Sequence, residues 1–281
     1  MKRVAVVGAG TMGHGIAQVA ALAGYETMIT DAREDALDAA VRKIHENLEG
    51  AVSRGKLKRE EAHGVRNRIG IDPELEHAVK DADLVVEAIV EDLAAKQALF
   101  RSLEKLTPAS TILATNTSSL SVGRIASATR RPERVLGMHF FNPVHIMKLV
   151  EIVTHDGTNA AVVETAKEVA GRMGKVPIIV KDSPGFASSR LGVVLGLEAM
   201  RMVEQSVASV EDIDRAMELG YGHPMGPLKL TDLVGLDVRL AIAEYLHREL
   251  GTPSFRPPQL LKKMVRAGKL GKKSGEGFYR Y

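Results

Sequence analysis

Short apolar runs alternate with amphipathic stretches along the first two thirds of the chain. Residues 4–7 form the first apolar run, a glycine-rich segment follows at 8–15, and apolar positions then recur with helical spacing up to Gly24. A second apolar run covers 27–30. Uninterrupted apolar runs of this length are typical of parallel strands that are buried on both faces. The pattern therefore predicts a strand–helix–strand unit at the N-terminus.

The same alternation continues to residue 180. Apolar stripes with helical spacing predict helices, and short apolar runs predict further buried strands. We expect helices over 32–50, 93–106 and 160–172, a helical hairpin that extends over 54–68, and strands at 84–86, 111–114, 134–141, 149–153 and 176–180.

The pattern changes after the Ser-Pro-Gly sequence at 183–185. No clear strand follows, and the helical spacing recurs over four stretches: 191–207, 210–219, 236–250 and 258–267. A strand-rich first part and a helical second part indicate two domains. The sequence therefore predicts an α/β domain with a mostly parallel sheet over 1–183, followed by an all-α domain over 184–281.

Composition and charge exclude several classes of protein. The chain has 281 residues, of which 45% are hydrophobic and 26% charged, as in ordinary globular proteins. Cysteine is absent, which excludes disulfides, a thiolate nucleophile and thiolate-bound metal, and we expect no metal site. A net charge of +3, 4% aromatic residues and no tryptophan argue against a nucleic-acid partner. We also expect no membrane span, no signal peptide and a cytoplasmic location.

The glycine-rich segment has the pattern G-x-G-x-x-G and joins a predicted strand to a predicted helix. Gly8 would allow the tight turn, Gly10 would let a pyrophosphate approach the backbone, and Gly13 would let the helix pack on the strand. Thr11 and Met12 lie between them at the start of the helix, where free N–H groups attract phosphate. This context predicts a Rossmann-type dinucleotide site.

An acidic residue follows the second predicted strand. Asp31 lies 18 residues after Gly13, where a carboxylate would bind the ribose 2′-hydroxyl of NAD and repel the 2′-phosphate of NADP. Arg33 lies close by and leaves room for NADP. One alternative is that residues 8–13 are only a tight turn and Asp31 only a helix cap. Another is that the same loop binds FAD or an S-adenosyl group. We favour NAD.

One of nine histidines lies where chemistry is expected. His139 ends a predicted strand, and Glu151 interrupts an apolar strand twelve residues later. A buried glutamate needs a partner, and adjacent strands could bring these side chains together as a base and its carboxylate. A buried structural histidine beside an unrelated glutamate is the alternative. We expect His14 to contact the cofactor. Six further histidines should be structural or on the surface: His45, His63 and His77 on the surface, and His155, His223 and His247 without an apparent partner.

Residues 116–119 (NTSS) follow the strand predicted at 111–114. Their hydroxyl and amide groups could bind a ligand, or the segment could simply cap a helix, since serine and threonine favour that position. The residues alone leave both interpretations open.

An ordered set of motifs resembles the 3-hydroxyacyl-CoA dehydrogenase family over the whole chain, and most closely its bacterial short-chain members, the 3-hydroxybutyryl-CoA dehydrogenases. The motifs are GAGTMG at 8–13, VEAIVE at 86–91, NTSSL at 116–120, HFFNP at 139–143, MKLVE at 147–151, DSPGF at 182–186, HPMGP at 223–227 and KSGEGFY at 273–279.

The resemblance implies a reaction and roles for individual residues. Members of the family oxidise the L-3-hydroxyl of an acyl-CoA to the 3-keto form with NAD, or run the reverse reaction with NADH. It implies that His139 is the base, that Glu151 is its partner and that Ser118 holds the reacting oxygen. It also implies cofactor contacts at Asp31, Glu91, Lys96, Asn116 and Asn142.

The resemblance also implies which residues bind the acyl-CoA substrate and which domain forms a dimer. Asn47 and Arg54 correspond to the helical hairpin that meets the CoA nucleotide, and the helical domain corresponds to the domain that forms a homodimer. Sugar-acid (gulonate-type) and carnitine dehydrogenases share this scaffold, and a non-catalytic NAD-binding protein is a further alternative.

Two positions depart from the family pattern. Relatives usually carry asparagine, close to the substrate carbonyl, where this chain has Ser189. Serine keeps a hydroxyl donor but is shorter and lacks the amide. His145 stands where relatives often have proline, and we interpret it as loop variation, with a polar contact in the acyl pocket as the alternative.

The substitution Ser189→Asn would restore the usual family residue. We expect it to keep or raise the turnover of a 3-oxoacyl-CoA, because the amide reaches further and offers both a donor and an acceptor. Steady-state kinetics of the purified variant would check this. Complete loss of turnover would show that the pocket around this position is built differently.

Overall fold

The computed structural model describes all 281 residues and divides into two compact units, Met1–Ser183 and Pro184–Tyr281. The first unit contains eight strands in one sheet, in the order β3-β2-β1-β4-β5-β6-β7-β8. Every neighbouring pair is parallel except β6 and β7, which are antiparallel. The strands are β1 (Arg3–Val7), β2 (Glu26–Thr30), β3 (Ile69–Ile71), β4 (Leu84–Glu87), β5 (Ile112–Thr115), β6 (Val135–Phe140), β7 (Leu149–Thr154) and β8 (Val176–Lys181).

The sheet is covered on both faces, which explains the uninterrupted apolar runs. In β1, Val4 and Val6 belong to one hydrophobic cluster, whereas Ala5 and Val7 belong to a second. Successive side chains of a strand point to opposite faces, so a strand between two cores needs apolar residues at every position. The predicted α/β class with a mostly parallel sheet is confirmed.

Seven helices accompany the sheet, and most match the predicted stretches. The helical hairpin predicted to extend over 54–68 is present, because Gly55 turns the chain with a φ of +67° after Ser53 and a second helix follows at Arg59–Asn67. The strand β3 and two five-residue helices were not predicted. The helices are α1 (Gly13–Leu22), α2 (Glu34–Ser53), α3 (Arg59–Asn67), α4 (Leu75–Val79), α5 (Leu93–Leu106), α6 (Val122–Ala126) and α7 (Ala160–Arg172).

The second unit is helical, as predicted, and has its own core around Leu197, Leu228 and Leu246. One helix was missed, although it begins with Pro227 at a favoured first position. The helices are α8 (Ser188–Glu204), α9 (Val210–Tyr221), α10 (Pro227–Val234), α11 (Leu236–Leu250) and α12 (Gln259–Arg266). Single 3₁₀ turns cover Pro132–Arg134 in the first unit, and Pro253–Phe255 and Lys272–Ser274 in the second. No helix of either unit has the length and apolar character that a membrane span requires.

A buried carboxylate binds the C-terminal segment to the helices of this unit. Asp232 is completely buried and accepts hydrogen bonds from the N–H groups of Phe278 and Tyr279, at 2.9 and 2.8 Å. The Tyr281 hydroxyl donates to the same carboxylate at 3.3 Å. Burial raises the pKa of Asp232, and burial together with Asp232 raises the pKa of Tyr281 to about 12. The C-terminal motif is thus part of the structural core.

Replacing Asp232 by alanine should destabilise the second unit. We expect a loss of about 2–4 kcal/mol, because the variant leaves two partly buried N–H groups without their acceptor and opens a cavity at a buried position. Asp237→Ala, which removes a partly exposed ion pair to Lys273, is the control and should cost less than about 1 kcal/mol. Urea unfolding of both variants would check this, and equal losses would contradict it.

Candidate active site

The glycine-rich loop connects β1 to α1 with no room for side chains at two of its three glycines. A Cβ at Gly13 would lie 1.7 Å from the carbonyl oxygen of Gly8, and Gly8 itself has a φ of +105°. A Cβ at Gly10 would have no atom within 4 Å, so this position faces open space. Met12 precedes α1, and no side chain caps the helix there. The first turn of α1 can therefore offer its N–H groups to a phosphate.

Asp31 directly follows β2 and faces a cavity of about 740 Å³ beside this loop. Its Oδ2 accepts a hydrogen bond from Ala9 N at 2.7 Å, and its Oδ1 accepts one from Arg33 N at 2.9 Å. Gly8, Gly10 and Ile89 also line the cavity, whose walls are mostly apolar. Asp31 therefore both fixes the loop and presents a carboxylate at a cavity that suits an adenosine.

The antiparallel pairing of β6 with β7 sets His139 directly opposite Glu151. The distance from His139 Nδ1 to Glu151 Oε2 is 2.7 Å. Glu151 is completely buried, and only 6% of His139 is exposed. A buried carboxylate at this distance holds the proton on Nδ1 and stabilises a positive charge on the ring. This arrangement is the one that a general base requires.

Glu91 organises the loop at 116–119. Its Oε1 accepts hydrogen bonds from Thr117 Oγ1 at 2.6 Å and from Ser118 N at 3.0 Å, and it also lies within reach of the Ser118 and Ser119 hydroxyls. Burial raises the pKa of Glu91, but the Thr117 hydroxyl, the Lys96 charge and Ser118 N outweigh it, and the pKa lies below its usual value. The loop does not cap a helix, since Ser121 caps α6.

Asn116 connects this loop to the strand that carries the histidine. Its Oδ1 accepts a hydrogen bond from Phe140 N at 2.9 Å, directly beside His139 in β6. The Phe141 ring lies 4.5 Å from the His139 ring, centroid to centroid. The loop and the end of β6 are therefore held as one structure.

A buried ion pair lies behind Glu91 and was not predicted. Glu87, the last residue of β4, accepts hydrogen bonds from Lys96 Nζ at 2.5 Å, from Ile89 N at 2.7 Å and from Thr115 Oγ1 at 2.7 Å. Lys96 Nζ also lies 3.4 Å from Glu91 Oε2. The sequence did contain a signal, because Glu87, like Glu151, ends or interrupts an apolar strand and needs a partner.

Seven of the predicted residues line one cavity of about 350 Å³. Phe140 and Phe141 form part of its wall. Lys96 lies in the wall but is only 1% exposed. Its ammonium forms ion pairs with Glu87 and Glu91 and is not free to contact a ligand directly. The seven residues are Met12, Glu91, Lys96, Asn116, Ser118, His139 and Asn142.

Four further predicted residues lie elsewhere. Asn47, in α2, donates a hydrogen bond to Gln18 Oε1 at 3.0 Å, and Arg54 follows the end of the same helix. Ser189 lies in the first turn of α8, in the second unit. Thr11 lines a further cavity together with Gly10 and His14, whose Nδ1 lies 2.9 Å from Gly10 O.

Two histidines that were predicted to lack a partner have one. His155 accepts a hydrogen bond from Gly157 N at Nδ1 and lies 3.0 Å from Pro132 O at Nε2, and His247 Nδ1 lies 3.0 Å from Thr252 O. These contacts stabilise turns, which agrees with the structural roles that we expected for both residues.

Known proteins resemble the chain over its full length. Residues 3–183 match the model of the 3-hydroxyacyl-CoA dehydrogenase NAD binding domain, and residues 185–281 match the model of the C-terminal domain of the same name. A probable 3-hydroxybutyryl-CoA dehydrogenase of Bacillus subtilis is 46% identical, over 100% of this chain and 98% of the relative. The human mitochondrial hydroxyacyl-coenzyme A dehydrogenase is 42% identical, over 100% and 91%. The crystal structure of (S)-3-hydroxybutyryl-CoA dehydrogenase from Ralstonia eutropha superimposes on this chain with a TM-score of 0.96 and 37% sequence identity. The match covers 100% of this chain and 99% of that chain.

Alanine substitutions at two glycines of the loop should have different effects. Gly13→Ala forces a Cβ into the Gly8 carbonyl, so we expect a lower melting temperature. Gly10→Ala has space within the protein, so we expect an unchanged melting temperature but NADH binding that is weaker by about tenfold or more, because the Cβ occupies the path of the pyrophosphate. Thermal unfolding and NADH titration would check both. A Gly10→Ala variant with normal NADH affinity would contradict this interpretation of the loop.

Proposed function

The chain belongs to the 3-hydroxyacyl-CoA dehydrogenase family, and from this we propose that it oxidises short-chain (S)-3-hydroxyacyl-CoA esters, such as 3-hydroxybutyryl-CoA, reversibly to 3-oxoacyl-CoA. The chain is an NAD-dependent oxidoreductase. The observation that carries the proposed chemistry is the buried His139–Glu151 pair at the wall of a cavity that also holds Ser118.

The residues at the glycine loop fit NAD. The open side of Gly10 and the uncapped start of α1 suit the pyrophosphate, and Asp31 suits a ribose that carries a free 2′-hydroxyl. Asn142 and Glu91 line the neighbouring cavity, where they would contact the nicotinamide half. When bound, NAD supplies the hydride acceptor.

His139 acts in this proposal as the general base. Its Nε2 takes the proton of the substrate 3-hydroxyl while the hydride leaves C3, and the proton on Nδ1 stays with Glu151. Glu151 stabilises the imidazolium that forms. Ser118 donates a hydrogen bond to the reacting oxygen, where negative charge develops. In the reductive direction the protonated His139 is the acid.

The CoA part of the substrate has a positively charged region available. Burial and the positive charges of His14, Lys175, Arg54 and Lys43 lower the pKa of His145. Lys175 Nζ donates a hydrogen bond to Met147 O at 2.8 Å, so one of these cations lies at the loop that carries His145, and a polyphosphate would be attracted to it. This supports a CoA ester, and we propose Asn47 and Arg54 as contacts of its nucleotide. The role of Ser189 near the acyl carbonyl is proposed from the family resemblance alone.

We propose a homodimer formed by the second unit. Several large apolar side chains of this unit are exposed, which supports an interface there: Leu191, Val207, Leu219, Tyr221 and Leu233. Sedimentation should give twice the chain mass of 30.3 kDa, and a monomer at micromolar concentration would contradict the proposal.

We also propose the cytoplasm as the location, which fractionation of the source cells would test.

The reaction itself is tested by the loss of NADH absorbance with acetoacetyl-CoA. NADPH and free acetoacetate are run beside it as controls for the cofactor and for the CoA group. Turnover with NADH and the CoA ester alone is the expected result. Activity with a sugar acid or carnitine and none with any acyl-CoA would favour the other dehydrogenases of this scaffold, and NADH binding without any turnover would favour a non-catalytic protein.

His139→Gln should reduce turnover by about 100-fold or more, because the amide cannot accept the proton. The Kd of NADH should stay within about threefold of the parent value, since the nucleotide is bound mainly through the glycine loop. His155→Gln is the matched control, because His155 contacts only backbone groups of its own turn and of Pro132, and it should retain turnover. Stopped-flow kinetics and NADH titration would check both variants. Normal turnover in His139→Gln would exclude His139 as the base.

A further inference from the structure

The wall of the cavity that holds His139 contains more negative than positive charge. Glu87 and Lys96 have 0% and 1% of their side chains exposed, and Glu91 has 39%. Lys96 Nζ is shared between the two glutamates, at 2.5 and 3.4 Å. Two carboxylates and one ammonium leave this cluster with a charge of about −1.

The other groups around the cluster are neutral donors. Glu87 accepts from Ile89 N and the Thr115 hydroxyl, while Glu91 accepts from the Thr117 hydroxyl and Ser118 N. Donors of this kind favour the charged form of a carboxylate. No second cation contacts either carboxylate, so the negative charge is not balanced within the cluster.

The nicotinamide ring would lie beside this charge. In the proposed reaction, the carbon that bears the hydroxyl held by His139 exchanges a hydride with the ring, so the ring must enter the same cavity. The ring carries a positive charge in NAD+ and none in NADH. Charges act strongly across a poorly solvated wall, where the effective dielectric is far below that of water.

We infer that the cluster of Glu87, Lys96 and Glu91 sets the relative affinity for oxidised and reduced nucleotide and favours NAD+. The inference rests on the proposed placement of the nicotinamide. Glu87 does not line the cavity, so it acts through its charge and through Lys96 rather than by contact. It is a residue that tunes the cofactor preference, not a catalytic residue.

The test is the ratio of the dissociation constants of NAD+ and NADH, measured by calorimetric titration. Glu87→Gln removes one negative charge and keeps the side-chain shape. We expect the ratio Kd(NAD+)/Kd(NADH) to rise about tenfold, which corresponds to about 1.4 kcal/mol. A ratio within about twofold of the parent would overturn the inference, because a charge in a poorly solvated wall beside the ring should have a larger effect.

Two further variants separate charge from damage to the fold. The double variant Glu87→Gln/Lys96→Met removes one charge of each sign, so the ratio should return to the parent value although more of the cluster is lost. Thr117→Val removes a hydrogen bond to Glu91 without changing the charge, so both constants should change by the same factor. A raised ratio in either variant would overturn the inference.

These measurements distinguish failure of the proposed function from failure of the inference about the cluster. If Glu87→Gln does not fold, Glu91→Gln makes the same change in charge at a less buried position and should raise the ratio as well. If the parent protein binds neither nucleotide, the proposed function fails. If it binds both and the charge variants leave the ratio unchanged, only the inference fails.

Discussion

The register of one antiparallel strand pair determines what this protein can do. Gly137 pairs with Val153 and His139 with Glu151, and a Cβ at Gly137 would lie 2.8 Å from Val153 Cβ. The close approach at Gly137 helps to fix the register. Because side chains alternate between faces, a slip by one residue would send Glu151 to the opposite face of the sheet. The proposed base and its carboxylate therefore depend on backbone pairing rather than on flexible side chains.

The parallel part of the sheet brings the remaining groups to the same place. Carboxyl ends of parallel strands share one edge, where ligands of open α/β sheets bind. Glu87 ends β4, Asn116 follows β5 and His139 lies near the end of β6, so all three meet there. Buried charges at this edge are paired, since an isolated buried charge is costly, but such pairs contribute little net stability. Their placement is better explained by chemistry at the edge than by stability of the fold.

Much of the fold could be predicted from the sequence, for identifiable reasons. The helices at 93–106 and 160–172 were predicted from the helical spacing of their apolar positions, and the structure gives the same bounds, with Asp92 and Asn159 as their caps. The strand β3 was missed because it has three half-exposed residues and a central glycine. The helical hairpin over 54–68 was predicted without the position of its turn, because a surface turn at Gly55 leaves no mark on the hydrophobic pattern.

The site was predicted less completely than the fold. The glycine loop, Asp31, His139 and Glu151 could be named, since each stands in a strong local pattern. Whether the loop at 116–119 caps a helix could not be decided from the sequence, and the structure shows that Glu91 binds the loop and that Ser121 caps the next helix. Glu87 was missed because its partner Lys96 lies on a helix nine residues away, and spacing alone does not show which lysine turns inward.

The central claim is that the β6–β7 register holds His139 as the tautomer that can accept a proton at Nε2. Nitrogen NMR of the neutral imidazole, with the resonance assigned through His139→Gln, measures this tautomer directly. We expect a proton on Nδ1 in the parent protein and a mixture of tautomers in Glu151→Gln. A proton on Nε2 in the parent would contradict it, since that nitrogen could then not take the proton of the substrate hydroxyl.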